Sequence, residues 1–191
     1  LDYVSHGNIT ENIFINGSSS DPYKHSVDIR NCENLTLLSN DFYYEEDKSI
    51  YVFTGSMIKI DSNRAFESDS DMFLTYVDNS SFMGNSFSMR FWGCHYNEIT
   101  DNILINIKYT PKDTGYSLRL VSSDYNNITR NTLYSNYMTM YLEGGCDHNI
   151  ISMNNISGQS GIRFWGGGSF NTIIYNRIEF IDDDGEIIGG H

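Results

Sequence analysis

Apolar residues in this chain come in pairs one residue apart, and the pairs recur at a steady interval from end to end. Val27/Ile29, Ile50/Val52, Met72/Leu74, Met89/Phe91, Leu118/Leu120, Met140/Leu142 and Ile162/Phe164 form the series. Alternation with period two predicts short strands that turn those residues to one side. A second pattern follows: an apolar residue, an asparagine three positions on, and a further apolar residue two beyond. It reads Ile9/Asn12/Phe14, Leu37/Asn40/Phe42, Ile60/Asn63/Ala65, Phe82/Asn85/Phe87, Ile99/Asn102/Leu104, Ile128/Asn131/Leu133, Ile151/Asn154/Ile156 and Ile173/Asn176/Ile178. Asparagine is poor inside a helix and good at a turn, so each triplet predicts two short strands flanking a bend.

The intervals between successive bend asparagines are 28, 23, 22, 17, 29, 23 and 22. Gly161–Ile178, GIRFWGGGSFNTIIYNRI, nearly copies Met89–Leu104, MRFWGCHYNEITDNIL. The mean interval between bend asparagines falls in the range of about 20–50 residues that marks repeat architectures such as solenoids. With 21 Asn, one Ala (Ala65) and two Pro in 191 residues, a helical solenoid is excluded. Three short strands per turn predict an all-β, right-handed parallel β-helix of about eight coils. It reads as a single domain over 1–191, or as a piece of a longer β-helix protein, since the chain starts at Leu1 with neither an initiating Met nor a signal peptide.

Stacked at one coil spacing, ~4.8 Å, identical amides can hydrogen-bond along the stack. The bend asparagines are therefore expected to hold the fold together rather than to bind a ligand. Ile, Leu, Phe and Met should stack inside, because one coil cannot bury its own apolar face.

This pattern resembles the pectate-lyase-like β-helix superfamily. The Asn-x-Ile-x-x-Asn-x-Ile coils are most similar to those of NosD-type and archaeal cell-surface proteins, the latter including disaggregatase-like polysaccharide-degrading proteins. The resemblance spans nearly the whole chain and implies the fold and an extracellular or cell-surface location. It does not fix an activity, because this fold hosts lyases, hydrolases, epimerases, adhesins and scaffolds.

Charge narrows the partners. A net charge of -13 excludes a nucleic-acid partner, whose binding rests on phosphate neutralisation. No apolar run is long enough to span a membrane. Sequons for glycosylation begin at Asn8, Asn16, Asn34, Asn79, Asn127 and Asn155. The irregular intervals place loops at Asn16–Ser26, Asp41–Ser49 and Lys108–Ser117, just before first strands, where binding residues often sit.

Cys32, Cys94 and Cys146 share one template position, three residues before Leu35, Asn97 and Asn149. Cys94 and Cys146 are two coils apart, ~9.6 Å by strand spacing, beyond the ~7 Å a disulfide allows. Buried free thiols are expected, with a soft-metal site as the alternative.

Chemistry concentrates on the outward side of the first strand. One outward row reads Asp28, Tyr51, Phe73, Arg90, Arg119, Tyr141, Arg163; the next reads Arg30, Phe53, Thr75, Trp92, Val121, Glu143, Trp165. Three of the seven arginines fall in the first row and both tryptophans in the second. Indoles can stack on sugar rings, and guanidiniums grip carboxylate or sulfate with two parallel bonds. Arg90, Trp92, Arg119, Tyr141, Arg163 and Trp165 are thus candidate substrate-binding residues, with cation–π stacking between neighbours as the structural alternative.

After the strand comes a row of His95, Asp124, Asp147 and Ser169. Asp124 and Asp147 on adjacent coils could divide acid and base roles, with His95 and Glu143 moving protons. They could instead bind Ca²⁺, or simply make turns.

These expectations converge on a carbohydrate-active β-helix that binds, and in its enzymatic version cleaves as a polysaccharide lyase or glycoside hydrolase, an acidic cell-surface polysaccharide. A structural surface or filament subunit with coils stacked end to end is the alternative. Copper delivery of the NosD kind ranks last, because most Cys and Met fall at inward positions.

Overall fold

The computed structural model describes residues 1–15, 25–43, 48–66, 71–106, 115–181 and 187–190. The described residues are strands and turns, stacked as a parallel β-helix. The first-strand sheet runs His25–Leu38, Lys48–Ser56, Asp71–Asp78, Ser88–Trp92, Tyr116–Val121, Met138–Glu143 and Ile162–Trp165, each hydrogen-bonded to the next. A second sheet runs Lys59–Asp61, Ser81–Met83, Glu98–Thr100, Asn127–Thr129, Ile150–Ser152 and Thr172–Ile174. The long strand His25–Leu38 passes through both and also pairs with Ser5–Thr10, so they join into one 14-stranded sheet.

The third sheet is split. Ile13–Ile15, Asp41–Tyr43 and Arg64–Phe66 form one part; Ile103–Asn106, Thr132–Ser135, Asn155–Gly158 and Arg177–Ile181 form the other. The gap falls in the shortest repeat, from Asn85 to Asn102, where only an isolated Arg64–Ser86 bridge forms. Phe87 is buried there and Ser88 already begins the next first strand, leaving no length for a third. All pairings are parallel except that of Arg177–Ile181 with Ile187–Gly190.

The inward pairs fill the core. Ile29, Ile50, Val52, Met72, Leu74, Met89, Leu118, Leu120, Met140 and Leu142 are fully buried. The apolar members of the Asn triplets stack below them, among them Leu37, Ile60, Phe82, Ile99, Ile128 and Ile151.

The bend asparagines form a continuous amide ladder from Asn12 to Asn176. Asn131 Oδ1 accepts from both the backbone N–H (3.0 Å) and Nδ2 (2.9 Å) of Asn102, while Asn102 Nδ2 also donates to Phe82 O (2.9 Å). Asn131 in turn gives its N–H and Nδ2 to Asn154 Oδ1 at 2.8 and 3.0 Å, and Nδ2 to Ile99 O at 2.8 Å. Both lone pairs and both amide hydrogens are used, which is what a buried amide needs to avoid a desolvation penalty.

The residue before each ladder asparagine is left-handed, as at Asp101, Arg130, Met153 and Tyr175. The bend therefore sits one residue ahead of the asparagine. A left-handed conformation is costly for a side-chain-bearing residue and persists only where its surroundings hold it.

Candidate functional site

The outward rows align as their spacing implies. Tyr51, Phe73, Arg90, Arg119, Tyr141 and Arg163 are register partners strand by strand, and so are Phe53, Thr75, Trp92, Val121, Glu143 and Trp165. The strands hold these side chains outward because their neighbours at odd spacing are the buried core pairs.

Aromatic and cationic residues divide this face by position. Toward the chain's start, Tyr51 stacks on Phe73 with ring centroids 5.8 Å apart. Farther along, Trp92 and Trp165 are 48% and 55% exposed. Arg163 lies over the Trp165 ring, 5.2 Å from its centroid. Arg119 lies over Tyr116 and Tyr141 at 5.1 and 5.9 Å, and its Nη2 reaches Glu143 Oε2 at 2.6 Å. Arg90 pairs with Asp71, which also accepts a hydrogen bond from Ser88. A recess of 210 Å³ opens between them, lined by Phe73, Arg90, Phe91, Trp92, Arg119 and Val121.

Tyr141 is buried on this outer side, packed with Tyr116 and Met138. Desolvation, then the nearby Glu143 carboxylate, pushes its hydroxyl above the ordinary phenol value, against the pull of Arg163 and Arg119. Its proton is held tightly at neutral pH.

The carboxylates of the turn after the first strand are engaged with backbone. Asp78 Oδ1 accepts from His95 N–H, His95 Nδ1 from Asp124 N–H, and Asp124 Oδ1 from Asp147 N–H at 2.6, 3.1 and 2.8 Å. Asp147 Oδ1 accepts from Ser169 N–H. His95 Nδ1 also lies 3.6 Å from Asp124 Oδ2. Asp124, Asp147 and His95 thus climb the turn as one acceptor column, on adjacent coils as their spacing implies. Of the four candidate catalytic residues, Glu143 alone lies in the outward rows, as the acid paired to Arg119. Beside this column a second one, Tyr96, Tyr125, His148 and Phe170, stacks ring on ring at 4.9, 4.7 and 4.9 Å.

Asp71, Tyr116 and Asp78 were not singled out in the sequence. Asp71 could have been found, because it continues the outward alternation two residues before Phe73. Tyr116 has no such signal, since its role depends on stacking against Tyr141 at 5.2 Å.

The three cysteines are free and buried. Burial pushes the Cys94 thiol up to about 12 and raises that of Cys146. Cys94 Sγ faces Trp92 O at 3.4 Å and Leu74 O at 3.5 Å. Among the sequons, Asn8, Asn79 and Asn155 are exposed, Asn34 is half-buried, and Asn127 Oδ1 accepts from its own sequon hydroxyl, Thr129 Oγ1, at 2.7 Å. Asn16 lies outside the described residues, as do most of the expected loops Asn16–Ser26 and Lys108–Ser117 and the middle of Asp41–Ser49. Among the described residues no group of three His, Cys, Asp or Glu converges as a metal site, and no helix is long and apolar enough to cross a membrane.

Two solved structures are similar at low identity. The A-module of the Azotobacter vinelandii mannuronan C-5 epimerase AlgE6 is 13% identical with a TM-score of 0.45, over 93% of this chain and 53% of that one. PfbA, a surface adhesin of Streptococcus pneumoniae, is 10% identical with a TM-score of 0.26, over 85% and 66%. The chain thus spans about half the length of the epimerase module. No curated protein matches. The family described as "Periplasmic copper-binding protein (NosD)" matches residues 1–144, three quarters of the sequence and every coil up to the strand that carries Glu143, and the chain belongs to this NosD family of β-helix proteins.

Proposed function

We propose that this chain works outside the cytoplasm as a β-helix that binds an acidic cell-surface polysaccharide along the outward face of its first sheet. The observation that carries the reading is the pair of register rows: Trp92 and Trp165 half-exposed in one, Arg90, Arg119 and Arg163 beside them in the other. A glycan running along the stack would meet two indoles three coils apart, ~14 Å by strand spacing, with cations between. The arginines put cations on one face of a chain whose net charge is -13, two of them paired to Asp71 and Glu143 and Arg163 beside them. Arg163 is exposed and its guanidinium lies over the Trp165 ring, where it presents charge to an arriving anion.

The family's description names copper, and the residues of this chain do not fit it. Copper(I) favours thiolate and thioether ligands. The three thiols here point into the core, and the Cys94 thiol stays protonated up to about pH 12. Met72, Met89 and Met140 are fully buried in separate coils, and the exposed Met57, Met83 and Met153 also lie one to a coil.

Titration against acidic and neutral polysaccharides by calorimetry tests the proposal. Trp165→Ala should weaken binding by about 1–3 kcal/mol, as loss of an aromatic anchor does. Arg163→Ala should weaken it more at low salt than at high, because screening already reduces that contact. Equal binding by wild type and both variants would refute the reading.

A further inference from the structure

Arg90 and Arg119 are direct register partners on adjacent strands. Like charges placed opposite each other across a strand pair destabilise the sheet. Each arginine is offset on its far side only: Arg90 by Asp71 one strand before, Arg119 by Glu143 one strand after. Across four successive strands the charges therefore run negative, positive, positive, negative. The two carboxylates pull their partners' Nη2 groups outward from the middle of this line, and nothing anionic among the described residues stands between the two cations.

Between them is the 210 Å³ recess, whose walls are Phe73, Phe91, Trp92 and Val121. Arg90 Nε and Arg119 Nε are buried and have no acceptor among the described residues. A buried donor without an acceptor is costly, and one on a charged group more so. Both arginine side chains line this one recess from neighbouring strands and each keeps about a quarter of its side chain exposed, so an oxyanion held there meets two guanidiniums at once. The recess is smaller than the ~300–1,000 Å³ of a typical small-molecule pocket, so it suits one sugar residue. Its apolar walls favour a ring over a bare ion.

We infer that the recess between Arg90 and Arg119 is a subsite for a single monoanionic group, a carboxylate or a sulfate ester, carried on one sugar residue whose ring packs against Trp92. This rests on the polysaccharide reading of the same face and adds the register at which charge is read. Carboxylate and sulfate ester share the oxyanion chemistry that this pair of guanidiniums meets. The rest of the face, including Arg163 and Trp165, then holds the chain without deciding its charge pattern.

Calorimetric titration separates these roles. The probes are tetrasaccharides of galacturonate, glucuronate and mannuronate, their neutral methyl esters, and a sulfated galactose tetrasaccharide. At least one charged probe should bind about tenfold or more tightly than its neutral form, the loss expected for a charge-assisted hydrogen bond. Arg90→Gln and Arg119→Gln should each erase that difference. Val121→Trp, which fills the recess and leaves both ion pairs in place, should do the same, and guards against the arginine variants failing to fold. Preference for a uronate or for the sulfated probe identifies the source of the anion. No charged probe bound more tightly than its neutral form, or a preference that survives Val121→Trp, overturns the subsite. If long acidic and neutral polymers bind equally but still need Trp165, the subsite falls and the binding face stands. If the charged tetrasaccharides bind as expected while Trp165→Ala leaves long-polymer affinity unchanged, the subsite stands and the extended face falls.

Discussion

The second bend of the coil carries an asparagine on every turn from Asn12 to Asn176, whereas the first bend carries one only from Asn97 onward. On earlier turns the same place holds Leu35, Ile58 or Ser80. Those turns have long first-sheet strands, and pairings such as Cys32–Gly55, Gly55–Val77 and Ser56–Asp78 carry the backbone up to the bend. From Ser88–Trp92 onward the strands stop sooner, at Trp92, Val121, Glu143 and Trp165. Gly93, Gly144 and Gly166 then follow three of them with positive φ. The amide ladder at Asn97, Asn126, Asn149 and Asn171 takes up there. An inward amide column thus appears where the strand ladder ends, because buried N–H and C=O groups must find partners one way or the other. Ser80 marks the changeover: its Oγ accepts from Ile58 N–H at 2.9 Å and donates to Asp78 O at 2.8 Å, with one atom doing the work of an amide.

The largest expected effect tests the complete ladder. Asn131→Ala removes the acceptor of Asn102 N–H and Nδ2 and the donor to Ile99 O and Asn154 Oδ1. Each stranded buried group costs about 1–3 kcal/mol, so a loss of about 3 kcal/mol or more is expected in urea unfolding. Ser80→Ala strands Ile58 N–H alone and should cost about 1 kcal/mol. Equal losses for the two would erase the distinction between a ladder that carries the bend and one that substitutes for strand pairing.

The fold was legible because its signal is periodic. Apolar pairs and bend asparagines at fixed spacing leave one architecture, and the outward rows follow from parity alone. The bend itself was read one residue late. The left-handed position is filled by Glu11, Ser39, Ser62, Gly84, Asp101, Arg130, Met153 and Tyr175, which share no side-chain chemistry a pattern could reveal. The split of the third sheet was implicit in the short interval between Asn85 and Asn102, yet length alone does not say which strand is lost. Ion pairs were the least legible part of the site. Arg90 and Arg119 looked like free cations, and their acids, Asp71 and Glu143, lie on other coils at different offsets. Asp124 and Asp147 were legible as neighbours, while the backbone N–H groups that occupy them belong to the turn's path, which no residue type announces.

Smaller effects are expected on the outer face. Trp165 is half exposed and its row faces solvent, so Trp165→Ala should change unfolding free energy by about 0.5 kcal/mol or less, as surface substitutions do. A Trp165→Ala loss approaching that of Ser80→Ala would move the indole from binding to packing. That result would remove the contrast between an interior that stabilises and a face that recognises.

The smallest effect is expected where the second bend meets solvent. Asp101 and Arg130 are successive left-handed bend residues, joined by two hydrogen bonds of 2.8 and 2.7 Å outside the ladder they precede. The Arg130 hydrogen bonds, opposed by some desolvation and aided by its charge, hold the Asp101 carboxyl below its ordinary value of 3.8. A carboxyl with a depressed folded value adds stability above the unfolded value and loses it as pH falls through the folded one. The contribution is therefore complete at neutral pH and disappears only below 3.8. Because both side chains are exposed, it should be smaller than the Ser80 effect and should shrink in 1 M salt, where the screening length is ~3 Å. Asp101→Asn keeps tolerance of the left-handed conformation while removing the charge, so it isolates the pair. Wild type and Asp101→Asn should differ slightly at pH 7 in dilute buffer, should converge as pH falls below 3.8, and should melt together in 1 M salt. The Asn131→Ala deficit should persist in 1 M salt, since its bonds are neutral and buried. A salt-insensitive difference at Asp101 would place that carboxylate in the structural column with the amides, and the boundary between ladder and surface would shift outward by one residue.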